Sequence, residues 1–336
     1  MRILITGHTG FKGSWLTILL KELGHDVSGF ALAPEPESLF NSTGVSKMLS
    51  RELYADIRDK SKLSGFIAEV SPNVVFHLAA QPLVRYSYLE PTETFSVNVD
   101  GTLNLLDSCE ACETVEAVVV ITTDKVYRNE EKQKAFVESD PLGGTDPYST
   151  SKAMADLLTQ SWSRSVSKKK IMIARAGNVI GGGDFSRDRL IPDLYRSLVA
   201  KSPAQIRNPL AVRPWQHVLD CLNGYIHLID KALGGLPSDS WNFGPESEDY
   251  RTVKDVTDQF FTAFPGSTFS PLDGDGLHEA NFLALSSEKA FSKLGWRNKL
   301  TFQESVDWTS DWYRNFSSNE DIAEFTKEQV KEFLGK

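Results

Sequence analysis

Three glycines spaced three apart, Gly7, Gly10 and Gly13, stand directly behind a short apolar run, Ile3–Thr6, and directly ahead of a segment with helical periodicity. Few arrangements constrain a chain more. A glycine turn at a strand–helix junction lets the backbone approach a pyrophosphate closely, and the helix it opens presents unpaired N–H groups and a partial positive charge. Phe11, Trp15, Leu16, Leu19, Leu20 and Leu23 fall on one helical face. Four more runs, Val27–Ala31, Val74–Leu78, Val118–Thr122 and Ile171–Ala174, are rich in Val and Ile with little polar alternation. Such runs predict strands buried on both faces, as in a parallel sheet. The alternation of strand and helix predicts an α/β doubly wound Rossmann fold over residues 1–177.

Beyond Gly177 the glycines and prolines thicken (GNVIGGGDF, RNPLAVRPW) and strand signals thin. Residues 178–336 read mainly as a smaller substrate-binding lobe, with part of 210–245 returning to the sheet. The charged tail from Asn315 to Lys336 reads as helix. With 36 basic and 45 acidic residues the net charge is -9, which disfavours nucleic-acid binding. No apolar run reaches the roughly 18 residues of a membrane span. The first residues, MRILITG, lack a charged-then-apolar leader pattern, and the expectation is a cytoplasmic protein with no membrane partner. Three cysteines are too few for a disulfide framework. Cys109 and Cys112 form a lone C-x-x-C with no second pair, so no metal is expected.

The glycine loop makes Gly7, His8, Thr9, Gly10, Phe11, Lys12 and Gly13 candidate dinucleotide contacts. His8 is bulky where a small residue more often sits, and is expected either to crowd the phosphates or to hydrogen-bond to them, weakening cofactor retention. The second strand ends in Gly29-Phe30-Ala31-Leu32, without the acid that marks NAD or an arginine that marks NADP; from these residues the choice stays open. Asp56 and Ile57 follow the next strand and either meet an adenine edge or form a surface turn. Leu78, Ala79, Ala80 and Gln81, at the end of the Val74 strand, are further cofactor candidates.

Tyr148 and Lys152 form a Y-x-x-x-K, four residues apart and so on one helical face. An ammonium beside a phenol lowers the tyrosine pKa and makes it a usable base. Thr123-Asp124-Lys125 follows a buried strand, at the end where open α/β sheets bind ligands.

The segments GHTGFKG, HLAAQPLVRYSY, NVDGT, TTDKVY, DPLGGTDPYSTSK, ARAGNVIGGGDF, RNPLAVRPWQHV and WNFGP follow one another in this order, with HEA (278–280) and LGW (294–296) behind them. Together they resemble the sugar-nucleotide 4,6-dehydratases of the extended short-chain dehydrogenase/reductase superfamily, the CDP-D-glucose group in particular. The resemblance implies bound NAD, used in a redox-neutral cycle that ends in a 4-keto-6-deoxy sugar nucleotide, and a homodimer. It implies that Tyr148 takes the proton of the sugar 4-hydroxyl, with Lys152 beside it and Tyr148 and Lys152 both against the cofactor. Thr123 would bond the carbon-4 oxygen, and Asp124 would protonate the departing 6-hydroxyl. Lys125 stands where dehydratases of other nucleotide sugars carry Glu, and would be the carbon-5 base or an enolate stabiliser. Ser87, Asn178, Arg189, Arg207, Arg213 and His217 would hold the nucleotide sugar; arginine's fork suits phosphates. Rival readings are a 4-epimerase or simple dehydrogenase, which need no acid–base pair for elimination, a dehydratase of another nucleotide sugar, and a non-catalytic dinucleotide sensor.

Overall fold

The structure, a computed structural model, describes residues 1–272, 280–318 and 320–336. Residues 278 and 279 of the HEA motif lie outside the described residues. Seven strands form one sheet: β1 (Arg2–Thr6), β2 (Asp26–Ala31), β3 (Arg51–Tyr54), β4 (Val74–His77), β5 (Ala117–Ile121), β6 (Lys170–Ala176) and β7 (Ser240–Phe243). Their order is β7-β6-β5-β4-β1-β2-β3, and every neighbouring pair is parallel. This is the doubly wound arrangement expected from the strand–helix alternation. The five runs named above are β1, β2, β4, β5 and β6, displaced at their ends by a few residues at most.

Alternate residues of each strand feed two separate cores. Ile3 and Ile5 of β1 join a cluster with Trp15, Leu16, Leu19 and Leu20 from α1 (Phe11–Glu22). Leu4 turns the other way, into a cluster with Phe30, Val75, Val118 and Ile171. That second cluster is covered by Leu63 and Phe66 of α2 (Lys60–Val70) and by Leu105 and Leu106 of α3 (Gly101–Ala111). Apolar residues on both faces are why the runs show no polar alternation. β3 is the exception: its pattern RELY is half exposed because it is an edge strand.

α4 (Pro147–Ser165) packs on α3, and α5 (Val218–Leu233) on α1 and β6. α4 opens with a capping box in which Asp146 and Ser149 satisfy each other's backbone N–H, with Pro147 in the first turn. α6 (Phe302–Ser317) runs into the tail, which then forms α7 (Ile322–Gly335). The glycine run 181–183 lets α6 dock: a Cβ on Gly182 would lie 1.9 Å from Trp312 Cγ, while Trp15 Nε1 donates to the Gly182 carbonyl at 2.9 Å. Between β1 and β4 the strand order reverses, and the carboxyl ends of the strands open there into a cleft. Among the described residues no helix is long and apolar enough to cross a membrane.

Candidate active site

The cleft has a volume of about 1130 Å³, more than one drug-sized ligand needs and enough for two ligands in contact. One end is the glycine loop. Gly7 takes φ +78°, and a Cβ there would come 2.7 Å from Ala79 N. A Cβ on Gly13 would lie 2.2 Å from the Gly7 carbonyl oxygen. On Gly10 it would meet only that oxygen, at 3.4 Å, leaving this side open. Gly10 caps α1 without any side-chain bond, and the first turn holds no acid. An uncapped helix start with an open backbone cradle fits the pyrophosphate of a dinucleotide. Thr9, Phe11, Lys12, Asp56, Ile57, Leu78, Ala79 and Ala80 also line the cleft.

Four expected contacts do not line it. His8 is fully buried beneath the loop; its Nε2 bonds Glu52 Oε1 at 2.9 Å and its ring stacks on Tyr54. A Cβ on Gly29 would lie 2.4 Å from His8 Cγ, so β2 leaves room for the imidazole on the side away from the phosphates. The expectation that His8 crowds or bonds the phosphates is therefore corrected. Gln81 spends its amide on Thr94 Oγ1 and on Leu83 N. Ser87 is buried behind α4, where its Oγ accepts Tyr148 N at 3.1 Å; it holds the helix start and has no face on the cleft. His217 is fully buried as the N-cap of α5, and burial pushes its pKa down to about 3, so it supplies no cation to a phosphate.

The catalytic candidates do converge. Thr123, Asp124, Lys125, Tyr148 and Lys152 all line the deep part of the cleft. Thr123, two residues beyond β5, is the N-cap of a one-turn helix and donates to Asp124 Oδ1 at 2.9 Å. Asp124 Oδ2 is buried with no hydrogen-bond partner. Lys152 Nζ donates to the Ile121 carbonyl at 2.7 Å. Burial pushes the Tyr148 pKa up to about 12, against the opposing bond from Thr123 and the charge of Arg189. The groups that lower it are Thr123 and Arg189 rather than the expected Lys152, and desolvation outweighs them both. Burial, then the charge of Lys12, draws Lys152 down to about 8.

Asn178, Arg189, Arg207 and Arg213 line the same cleft, and the charge of Arg189 reaches Tyr148. Arg189 and Arg207 stand 4.0 Å from Asp184 and Asp188, and Arg85 Nε stands 3.6 Å from Asp188. Asn178 and Asp188 both take positive φ, uncommon for residues with a Cβ.

Two residues that bear on the cleft were missed in the sequence. Arg58, which also lines the cleft, grips the Asp56 carboxylate at 2.6 Å. Asn98, on a π-helical turn, bonds both the N–H and the carbonyl of Gln81 and donates to Ser151 Oγ between Tyr148 and Lys152. In the sequence Asn98 belongs to NVDGT, one of the segments that carry the resemblance; the π turn, a feature that gathers at functional sites, emerges in the structure.

The model of the NAD dependent epimerase/dehydratase family matches residues 3–244. The CDP-glucose 4,6-dehydratase of Salmonella typhimurium is 41% identical over 345 aligned residues, covering 99% of this chain and 96% of that one. The dTDP-D-glucose 4,6-dehydratase of Mus musculus is 29% identical over 93% of this chain and 88% of its own. Among solved structures, dTDP-glucose 4,6-dehydratase from Bacillus anthracis in complex with NAD superposes with a TM-score of 0.81 over 97% of this chain and 99% of that one; at 24% identity it bears on the fold alone. The Thermus thermophilus UDP-glucose 4-epimerase complex with NAD gives 0.81 at 26% identity, over 94% and 99%.

Proposed function

The chain belongs to the NAD dependent epimerase/dehydratase family, and from that premise we propose that it is a hydro-lyase that converts CDP-D-glucose into CDP-4-dehydro-6-deoxy-D-glucose and water. One observation carries the dehydratase reading: Asp124 and Lys125 share the deep end of the cleft with Thr123, Tyr148 and Lys152. A 4-epimerase uses the tyrosine and lysine; an adjacent acid and base are what an elimination adds. The cytidine base rests on likeness to the Salmonella typhimurium enzyme.

The glycine loop, Ala79 and Ala80 would hold NAD, which supplies the acceptor and later the donor of the hydride that leaves and rejoins the sugar. Tyr148 takes the 4-hydroxyl proton, and Thr123 bonds the same oxygen. A ketone at carbon 4 acidifies the carbon-5 hydrogen, which Lys125 removes. Asp124, with its Oδ2 unpartnered, gives a proton to the departing 6-hydroxyl. Arg189, Arg207 and Arg213 neutralise the diphosphate, and Asn178 hydrogen-bonds the nucleotide part. His8 and His217 hold structure, and Gln81 and Ser87 position the residues around them.

The wider reading places the catalytic cofactor unit in 1–177 with β7, and the substrate contacts mainly in 178–336. It includes a homodimer, supported by exposed Leu103 on α3 and exposed Met154 and Leu157 on α4. It also includes a cytoplasmic location, in keeping with three free cysteines. Incubation with NAD and, in parallel, CDP-glucose, dTDP-glucose, UDP-glucose and GDP-mannose tests the proposal by mass spectrometry. Water loss from CDP-glucose is the expected result. Turnover of another sugar alone overturns the cytidine assignment, and dehydration of none overturns the dehydratase reading.

A further inference from the structure

Beneath the catalytic end one carboxylate joins three elements. Asp156, on α4 one turn beyond Lys152, is fully buried. Its Oδ2 accepts from Arg175 Nε at 2.8 Å and from Thr122 Oγ1 at 3.1 Å. Its Oδ1 accepts from Arg175 Nη2 and from Gln160 Nε2, both at 2.8 Å. Arg175 lies on β6 and is buried as deeply. The rest of its fork reaches the Tyr127 hydroxyl at 2.8 Å, the Glu138 carbonyl at 3.1 Å and Ser240 Oγ on β7 at 3.2 Å. The Tyr127 hydroxyl in turn donates to Asn242 Oδ1 at 2.6 Å.

Stability does not account for this cluster. Replacing a buried ion pair by apolar side chains of similar volume is often neutral or stabilising, because desolvation offsets the attraction. What such a pair adds is direction, since a bidentate arginine–carboxylate bond fixes both partners in a plane. The direction here matters to the cleft. Thr122 immediately precedes Thr123 and Asp124. Lys152 and Tyr148 lie one and two turns before Asp156 on the same helix. Two bonds therefore pin α4 to the end of β5: Lys152 to the Ile121 carbonyl, and Asp156 to Thr122.

We propose that Asp156, paired with Arg175, is a positioning residue: it sets the register between the helix bearing Tyr148 and Lys152 and the strand end bearing Thr123 and Asp124, and it supports the Lys152 ammonium with a buried negative charge. Among the described residues, the charges that act on Lys152 are Lys12, from the first turn of α1, and Asp156, from its own helix; buried His77, on β4, in turn feels the charge of Lys152. Among these Asp156 is the one acid, and it alone raises the Lys152 pKa, against burial and Lys12, which lower it. The kinetic arm of this proposal rests on the dehydratase reading; the titration arm does not.

The test compares the wild-type protein with Asp156→Asn and with the charge-free pair Asp156→Leu/Arg175→Met. The pair keeps the case decidable if the single variant, which strands a buried arginine, fails to fold. The Lys152 Nζ resonance is followed by NMR on ¹⁵N-lysine-labelled protein and assigned with Lys152→Met. Its titration midpoint is expected to fall by about one pH unit without Asp156. The kcat for dehydration per folded molecule is expected to fall on the order of tenfold to a hundredfold, with KM within about twofold, as for a small misplacement of reacting groups. An unmoved Lys152 midpoint overturns the proposal, as does a kcat per folded molecule equal to wild type. If wild-type protein dehydrates no nucleotide sugar, the dehydratase reading fails and the Lys152 midpoint alone decides the role of Asp156.

Discussion

Gly177→Ala isolates the proposed acid. Gly177 follows β6 and does not take positive φ, so an alanine is allowed by the backbone and acts only through its methyl group. That methyl would lie 2.0 Å from Asp124 Oδ2 and 2.4 Å from its Cγ. Ordinary carbon contacts begin near 3.5 Å, so the carboxylate must retreat by about 1 Å or more. It cannot simply swing aside, because Oδ1 is held by Thr123 at 2.9 Å and the residue is 2% exposed. Overpacking of this kind costs roughly 1–3 kcal/mol of stability. A displacement near 1 Å of a proton-transferring group costs on the order of a hundredfold in rate, about 2.7 kcal/mol of barrier. The expected behaviour is selective. Water loss from CDP-glucose, followed by mass spectrometry, falls about a hundredfold, while oxidation at carbon 4 continues and reduced cofactor accumulates in a single turnover. Asp124→Asn shares that phenotype. Water loss by Gly177→Ala within about threefold of wild type would refute the assignment of Asp124 as the acid, since no rigid contact of 2.0 Å survives the added methyl.

His8→Ala removes a buried ring from beneath the glycine loop, and should lower the unfolding free energy by roughly 2–4 kcal/mol in urea titration; a loss under about 1 kcal/mol would mean the space between Gly29 and Tyr54 closes without it. Arg213→Met should raise the calorimetric Kd for CDP about tenfold to a hundredfold, the worth of a charged hydrogen bond, while leaving cofactor affinity unchanged. The Lys152 ammonium is present below its pKa of about 8 and lost as pH rises through it. The wild-type kcat should accordingly decline above that point, and a profile still rising at pH 9 would show that the ammonium is not needed.

How far the sequence could be read depended on how local each signal was. β1, β2, β4, β5 and β6 were legible because burial on both faces leaves short runs with little polar alternation. β3 was faint because an edge strand needs only one apolar face, and RELY offers little of that. The convergence of Thr123, Asp124, Lys125, Tyr148 and Lys152 could be anticipated from two spacings and from where strand ends point in a parallel sheet. The direction of His8 could not. It is decided by Gly29 on the neighbouring strand and Glu52 on the one beyond, and no pattern within the glycine loop reports either. His217 looked like a phosphate ligand beside Arg213, yet the first turn of α5 takes its side chain inward as a cap. Asp156 and Arg175 lie 19 residues apart in stretches that read as ordinary helix and strand, so only the packed fold brings them together. The Asp146–Ser149 capping box and Pro147 start α4 just before Tyr148, and they explain why that tyrosine sits at the cleft end of the helix.

The central claim is an elimination with internal hydride transfer, and CDP-glucose carrying deuterium at carbon 4 tests it most directly. Internal hydride transfer requires loss of one water, with the deuterium recovered at carbon 6 of the 4-keto product. Deuterium returned to carbon 4 in an epimerised sugar, released to solvent, or left untouched in unreacted CDP-glucose would contradict it.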